Sequence, residues 1–226
     1  MQSPPMSALS HLPLFLLLLL VMSSPSAHAQ VRLFPDEVQR VDVIAIERDG
    51  RDVYAFDSLT GNRSSFRLEL DEEVLFELSR GRVGVVLTDR RALAVAPGVN
   101  WRELRYQLRE RAPDVALVDD QLAILITDRR ALGFVASGNW VQEDLHAHEP
   151  VVALRVASAA GVIATSQRAL GLSSDRRGFV SIDLQIKEKL EEVAADGTLA
   201  TVRTNRRILV FSAPRGRWST QDRKIN

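Results

Sequence analysis

The 226-residue chain contains no cysteine. This absence excludes disulfide bonds, thiolate metal ligands, cysteine nucleophiles and lipid attachment through cysteine. The chain also has no excess of either charge, because 29 Lys and Arg residues balance 29 Asp and Glu residues. A general nucleic-acid-binding protein needs surplus cations to displace the counterions around phosphate groups. We therefore expect no nucleic-acid partner.

Long hydrophobic runs are equally scarce. The one candidate, residues 12–22, has 11 residues, whereas a membrane-spanning helix needs roughly 20. It is followed by Ala27-His28-Ala29, which is typical of the site where an export signal is cleaved. We therefore predict a signal peptide over residues 1–29 and a single mature domain over residues 30–226 without a membrane span. The mature protein would be periplasmic or secreted.

The remainder of the chain repeats itself. A Thr-centred motif recurs at spacings of 39, 38 and 39 residues, as Thr-Asp-Arg-Arg-Ala-Leu at 88–93 and 127–132, Thr-Ser-Gln-Arg-Ala-Leu at 165–170 and Thr-Asn-Arg-Arg-Ile-Leu at 204–209. An aromatic residue recurs every 39 residues, at Trp101, Trp140, Phe179 and Trp218. Because two independent markers share one period, we infer a tandem repeat. The predicted copies are 42–73, 74–113, 114–150, 151–189 and 190–226. In the degenerate first copy, residues 53–57 take the place of residues 85–89.

Each copy has the pattern of four short strands. In the fourth copy these are residues 151–156, 161–165, 168–172 and 179–187. The last segment alternates, which predicts one apolar face formed by Val180, Ile182, Leu184 and Ile186. The second strands, such as residues 83–87, are continuously apolar, as expected of strands covered on both faces. We find no pattern for a helix.

Four strands per repeat without helices resemble β-propeller repeat proteins. The resemblance implies an all-β fold, a five-bladed β-propeller of four-stranded antiparallel blades. A β-solenoid is the alternative. Ring closure stays open: the five copies close by themselves, or residues 31–38 add a strand to the last blade.

The first copy also resembles a quinoprotein-type blade. Its residues 54–61 fit the pattern Tyr-Ala-x-Asp-x-x-Thr-Gly of that family. The later copies lack the Thr-Gly step, so the resemblance implies no quinone, and we expect no cofactor.

Short polar residues recur between the second and third strands, where we expect a ring of Asp57, Asp89, Asp128, Ser166 and Asn205. One interpretation is that each side chain caps its own hairpin turn through backbone amides. The other is a carboxylate cluster like that of five-bladed glycoside hydrolases, in which two acids flank a sugar bond.

Arginines recur next to this ring, at Arg91, Arg130, Arg168 and Arg207. As planar groups with five donors they could together bind a carboxylate, sulfate or phosphate. The alternative is a bond between blades to a carbonyl or carboxylate, or stacking on a tryptophan. Trp101 and Trp140 would be sugar platforms if exposed and wedges between blades if buried, and burial is the expectation.

Histidines offer one further candidate site. His146 and His148 would lie on the same side of an extended strand, near Glu143 and Glu149, as in some zinc or copper sites. Parity places both on the polar face, so we predict no metal. The sequence has no Gly-x-Ser-x-Gly elbow, phosphate-binding glycine loop or helical zinc-protease motif.

These patterns predict an exported, non-catalytic propeller that binds a protein or other ligand through its loop-bearing face. The expected partner is an envelope or extracellular protein. The alternatives are a lectin-like propeller that binds a glycan and a five-bladed glycoside hydrolase. The candidate ligand-binding residues are Arg91, Arg130, Arg168, Arg207, Asp89, Asp128, Trp101 and Trp140. Because the copies differ around the recurring aromatic residue, one asymmetric surface is favoured over equivalent pockets.

Overall fold

The computed structural model describes residues 42–223. The predicted signal peptide and the segment 31–38 lie outside the described residues. All regular structure in residues 42–223 is β-strand. No helix in this part of the chain could cross a membrane.

Nineteen strands form five antiparallel sheets, which we call blades 1 to 5. Blade 1 contains β1 (Ile44–Asp49), β2 (Asp52–Asp57) and β3 (Arg63–Arg67). Blade 2 contains β4 (Val74–Arg80), β5 (Val83–Thr88), β6 (Arg91–Ala96) and β7 (Val99–Arg105). Blade 3 contains β8 (Val115–Asp119), β9 (Leu122–Ile126), β10 (Arg130–Val135) and β11 (Asn139–Asp144). Blade 4 contains β12 (Val151–Val156), β13 (Ala160–Thr165), β14 (Arg168–Ser173) and β15 (Val180–Asp183). Blade 5 contains β16 (Leu190–Asp196), β17 (Leu199–Thr204), β18 (Arg207–Ser212) and β19 (Arg217–Asp222).

Successive blades pack face to face, which confirms the predicted all-β propeller architecture of five blades. In each blade the strands pair with their neighbours in sequence order. The innermost strands of blades 2 to 5, β4, β8, β12 and β16, contact one another in series, and β1 of blade 1 contacts β4. Separate hydrophobic clusters lie between blades 2 and 3, between 3 and 4 and between 4 and 5.

The middle strands explain how these clusters form. Every residue of β5, β6, β10, β13 and β14 is buried, because one side chain faces the preceding blade and the next faces the following blade. Where a large side chain meets the neighbouring sheet, the opposing residue is small. A Cβ on Gly171 would lie 2.5 Å from the ring of Phe211 in the next blade.

Blade 1 differs from the prediction, because only three strands are present in the described residues. Val43 and Ile44 donate their backbone N–H groups to Gly81 O, at the turn between β4 and β5. Blades 2 and 3 are joined by an equivalent bond, from Arg82 N to Asp120 O. This bond connects the turn between the first and second strands of blade 2 to the corresponding turn of blade 3. β1 therefore corresponds to β5 and not to an innermost strand. The predicted equivalence of residues 53–57 with residues 85–89 is wrong.

The two outer faces of the series are not buried against each other within residues 42–223. Leu199, on the face of blade 5 that points away from blade 4, is 46% exposed. Phe56, on the face of blade 1 that points away from blade 2, is 41% exposed. Arg203 pairs with Glu192 at 2.8 Å on the outer face of blade 5. The described residues therefore form an open series of blades.

Candidate interaction face

One face of the molecule carries the linkers that enter blades 2 to 5. These linkers comprise residues 68–73, 106–114, 145–150 and 184–189. The turns between the second and third strands of each blade lie beside them, because backbone bonds join the two, as from Asp89 N to Glu73 O at 3.0 Å. We call this surface the linker face.

A buried ion pair lies beneath each linker. In blade 3, Arg130 Nε donates to Glu110 Oε1 at 2.9 Å, and the two side chains are 4% and 0% exposed. Thr127 donates its hydroxyl to the same carboxylate at 2.6 Å. The equivalent pairs are Arg91 with Glu72, Arg168 with Glu149 and Arg207 with Glu188. We call each such set a Glu–Thr–Arg box.

The same arginines also join neighbouring blades. Arg168 Nη2 donates to Asp144 O at 2.7 Å, and Arg207 Nη2 donates to Asp183 O at 2.6 Å, both in the preceding blade. Arg91 lies over the ring of Phe66 in blade 1, 4.8 Å from its centroid, and its Nη1 donates to Glu103 of its own blade at 2.9 Å. The repeated guanidinium groups are thus paired with carboxylates and carbonyls. Their predicted role as an anion site stays a prediction.

The boxes keep their carboxylates ionised. Burial of the Glu72 carboxyl raises its pKa. Hydrogen bonds from Arg91 and from the backbone of Glu69 lower the pKa by more than burial raises it, to about 2. The same opposing causes, burial against bonds from arginine, threonine and backbone N–H, leave the pKa of Glu110, Glu149 and Glu188 below its usual value. Each box therefore carries a paired negative and positive charge at neutral pH.

The polar residues of the predicted ring bind the linkers. Asp89 Oδ1 accepts the N–H of Glu73 and Asp128 Oδ1 accepts the N–H of Arg111, both at 3.0 Å, while Asn205 Oδ1 accepts that of Lys189 at 2.8 Å. In blade 4, Ser166 faces Pro150, which has no N–H to donate. Threonine hydroxyls hold the hairpin turns instead, as Thr88 Oγ1 accepts from Arg90 N at 3.2 Å.

Asp57 does not belong to this ring, which corrects the prediction. It follows β2 in the shifted register of blade 1, at the turn between β2 and β3. Its carboxylate accepts Leu59 N at 2.9 Å and Gly98 N of blade 2 at 3.0 Å. The recurrent polar positions of the linker face are therefore in blades 2 to 5 only.

Each linker turns sharply just before its glutamate. Glu110 N donates to Gln107 O at 2.9 Å, and Gln107 N donates to the Glu110 carboxylate at 2.6 Å. The third residue of each turn has positive φ, as at Asp71, Arg109, His148 and Lys187. A bond from the fourth residue to the first with positive φ at the third identifies a type II turn. The second residue is at the tip.

The tips are exposed aliphatic residues in three of four blades. Leu108 and Ile186 are each 87% exposed and Leu70 is 68% exposed, while blade 4 has Ala147. The sequence pattern did not predict these tips. The alternation over residues 179–187 predicted Ile186 on the apolar face of a strand, but β15 ends at Asp183 and Lys187 lies in the turn. The signal available was the recurrence of Glu72, Glu110, Glu149 and Glu188 at spacings of 38, 39 and 39 residues.

A groove of about 1140 Å³ opens on the linker face between blades 3 and 4. Exposed charged and imidazole groups line it, including Arg129, Asp128, His146 and His148. Both histidines are in the linker turn and not on an extended strand as predicted. His146 Nδ1 lies 3.2 Å from Glu149. The described residues contain no group of three or more His, Asp or Glu side chains that could hold a metal.

The tryptophans lie between blades. Trp140 Nε1 donates to Arg102 O of blade 2 at 3.1 Å, and Trp218 Nε1 donates to Val180 O of blade 4 at 2.8 Å. Trp101 packs edge to face on Phe66 of blade 1, with ring centroids 6.5 Å apart. These contacts make the tryptophans wedges between outer strands. Binding of a ligand by Trp101 or Trp140 stays a prediction.

Strand order, register and period together define a β-propeller repeat protein. No protein family and no curated protein matches the sequence. Among solved structures, the chain is similar to HIRA residues 644–1017, with a TM-score of 0.40, 10% identity, and coverage of 65% of this chain and 55% of that one. It is also similar to the N-terminal domain of Nup159, with a TM-score of 0.37, 6% identity and coverage of 80% and 58%. For Kluyveromyces lactis Hsv2 the corresponding values are 0.37, 10%, 81% and 61%. The chain thus spans less than two thirds of each, and none of these likenesses shows a link to quinoproteins.

Proposed function

We propose that this protein is an exported, non-catalytic scaffold that binds an envelope or extracellular protein through its linker face. The observation that carries the proposal is the open groove between blades 3 and 4, whose rim carries exposed charged groups. Its volume of about 1140 Å³ and its exposed charged rim suit a segment of a protein chain. Export rests on the sequence pattern of residues 1–29 alone.

The groove is favoured as a protein site because it differs from the other blades. The equivalents of His146 and His148 in blade 5 are Gln185 and Lys187, and in blade 3 they are Gln107 and Arg109. A repetitive lectin would need equivalent pockets in several blades. The glycoside hydrolase alternative would need two carboxyl groups facing a common sugar site, but Asp89 and Asp128 each accept a bond from a linker backbone. The resemblance of residues 54–61 to a quinoprotein-type blade adds no cofactor.

The test is a comparison of proteins captured from a cell-envelope extract by immobilised variants. The double variant Arg129→Glu with His148→Glu reverses the positive charge of Arg129 and adds a negative charge at position 148. Both residues are exposed on the groove, so no buried group is altered. Arg177→Glu reverses an exposed charge in the turn between β14 and β15, away from the linker face, and is the control. We expect a protein that the wild type and the control retain and the groove variant loses, followed by direct titration with that purified protein. Equal retention by all three would overturn the proposal.

A further inference from the structure

We propose that the exposed tips Leu70, Leu108 and Ile186 are apolar contact points for the same folded protein partner, and that this partner is acidic opposite blades 3 and 5. This inference rests on the proposed function and extends the contact surface from the groove to the whole linker face. The partner would place an apolar depression over each tip.

The tips are presented rigidly. Each follows a linker residue whose backbone N–H bonds to the box carboxylate, at 2.7 Å for Glu69 with Glu72 and 2.6 Å for Gln185 with Glu188. The carboxylate is in turn held by a buried arginine. A turn fixed from below loses little conformational entropy on binding, so even one aliphatic side chain per turn can contribute to affinity.

Neither folding nor turn chemistry accounts for aliphatic residues at these positions. The second position of a type II turn accepts most residue types, and proline is the one it favours. Leu108 and Ile186 are the most exposed large hydrophobic residues of the described chain. Single exposed apolar residues are ordinary on protein surfaces, but three at the same turn position, on one face, form a regular array.

Charges beside the tips indicate the chemistry of the partner. Blade 5 places Lys187, Lys189 and Arg206 around Ile186. In blade 3, Arg109 follows Leu108 in the turn, and Arg129 lines the groove together with Gln107, the residue before Leu108.

Around Leu70, in contrast, Asp71 and Glu73 carry exposed carboxylates, while the nearby guanidinium groups of Arg90 and Arg105 are paired with Glu69 at 3.3 and 2.8 Å. A uniformly anionic lipid surface would be repelled there. A protein with an acidic patch over blades 3 and 5 fits the whole face.

The test is site-specific photo-crosslinking of the full chain in the cells that produce it. A photoreactive amino acid replaces Leu70, Leu108 or Ile186 in turn, His148 in the groove, or Leu59. Leu59 is 63% exposed, at the turn between β2 and β3, and is the matched control because it is not on the linker face. We expect one protein adduct from all three tips and from His148, and none from Leu59.

The charge requirement is tested in the same experiment. Lys187→Glu with Lys189→Glu should lower the adduct yield at Ile186 by about fivefold or more, because an acidic partner surface would be repelled. The control Arg48→Glu, in blade 1, should leave it unchanged.

Outcomes separate this inference from the proposed function. An adduct at His148 without adducts at the tips would overturn the tip contacts and leave the groove proposal standing. No adduct at any of the four positions would overturn both. Adducts with lipid in place of protein, or an unchanged yield after both lysine substitutions, would overturn the stated partner chemistry.

Discussion

At the scale of single residues, the Glu–Thr–Arg boxes explain why arginine recurs in every full blade. The Arg130 guanidinium is buried and bonded to Glu110, Gln142 and Arg105 O. Its planar fork meets a carboxylate on one side and a carbonyl on the other, which a lysine ammonium could not do. The repeated arginine thus connects linker, blade and preceding blade.

Removal of this arginine should be costly. We predict that Arg130→Ala lowers the free energy of unfolding by about 3 to 5 kcal/mol, because the Glu110 carboxylate would stay buried without its partner. Urea denaturation measures the change. The neighbouring exposed residue provides the control, since Arg129→Ala should change stability by less than about 0.5 kcal/mol. Equal effects of the two substitutions would mean that the box contributes nothing.

Acid should weaken the molecule through the same boxes. The pKa of Glu72 is about 2 in the folded protein and near its ordinary value in the unfolded chain. A carboxyl group whose pKa is lower in the folded protein stabilises the fold at pH values above its unfolded pKa. This contribution is lost as the pH falls from about 5 towards 2. We predict a falling free energy of unfolding over that range, measured by urea titration at several pH values. Glu72→Gln should flatten the slope, and an unchanged slope would contradict the assigned ion pair.

Tyr106 is a buried phenol without a visible partner. Its hydroxyl has no hydrogen-bond partner within residues 42–223, and burial raises its pKa. An unsatisfied buried hydroxyl costs about 1 to 3 kcal/mol. We predict that Tyr106→Phe leaves the melting temperature equal or higher, as measured by calorimetry. A clear fall would contradict the assignment of an unsatisfied hydroxyl.

At the scale of strands and turns, close packing between blades depends on small residues in the third strand. Gly133 and Gly171 occupy equivalent positions, facing the next blade. Blade 5 has Val210 at this position, on the outer face that no described blade covers. A change from glycine to valine therefore marks the end of the series.

This packing gives a direct prediction. Gly171→Ala should lower the free energy of unfolding by about 1 to 3 kcal/mol, because its Cβ would lie 2.5 Å from the Phe211 ring. Gly178→Ala is the control, since a Cβ there meets nothing within 4 Å. Chemical denaturation of both variants compares the effects. Equal stability of the two would show that the Phe211 ring can move aside and that this close approach does not depend on glycine.

The sequence predicts the strands well and the linkers poorly, for a physical reason. Continuous apolar runs such as residues 122–126, short and flanked by turn residues, indicate covered strands, and the structure confirms them. The linker turn around Ile186 fits an alternating pattern equally well, because turn tips and strand residues both alternate with polar neighbours. The conformation of this linker turn depends on the ion pair between Glu188 and Arg207. These two residues are distant in the sequence and come into contact only in the folded protein.

At the scale of the whole molecule, the repeat period predicts the number of blades but not the register of the first blade. Residues 53–57 resemble the motif at 85–89, so the sequence pattern pairs β2 with β5, although β1 is the strand that corresponds to β5. Only the bonds from Val43 and Ile44 to Gly81 O establish the correct equivalence. The candidate groove could not be predicted either, because it lies between two blades and depends on how their linkers diverge.

The most direct test of the groove is the dissociation constant of the captured partner for the wild type and for Arg129→Glu with His148→Glu, measured by calorimetry at equal salt. We predict at least about tenfold weaker binding by the groove variant, since charge reversal at a recognition site opposes the partner. Arg177→Glu, in the exposed turn between β14 and β15 and away from the linker face, should bind within about twofold of the wild type. Equal dissociation constants for wild type and groove variant would contradict the proposed binding site.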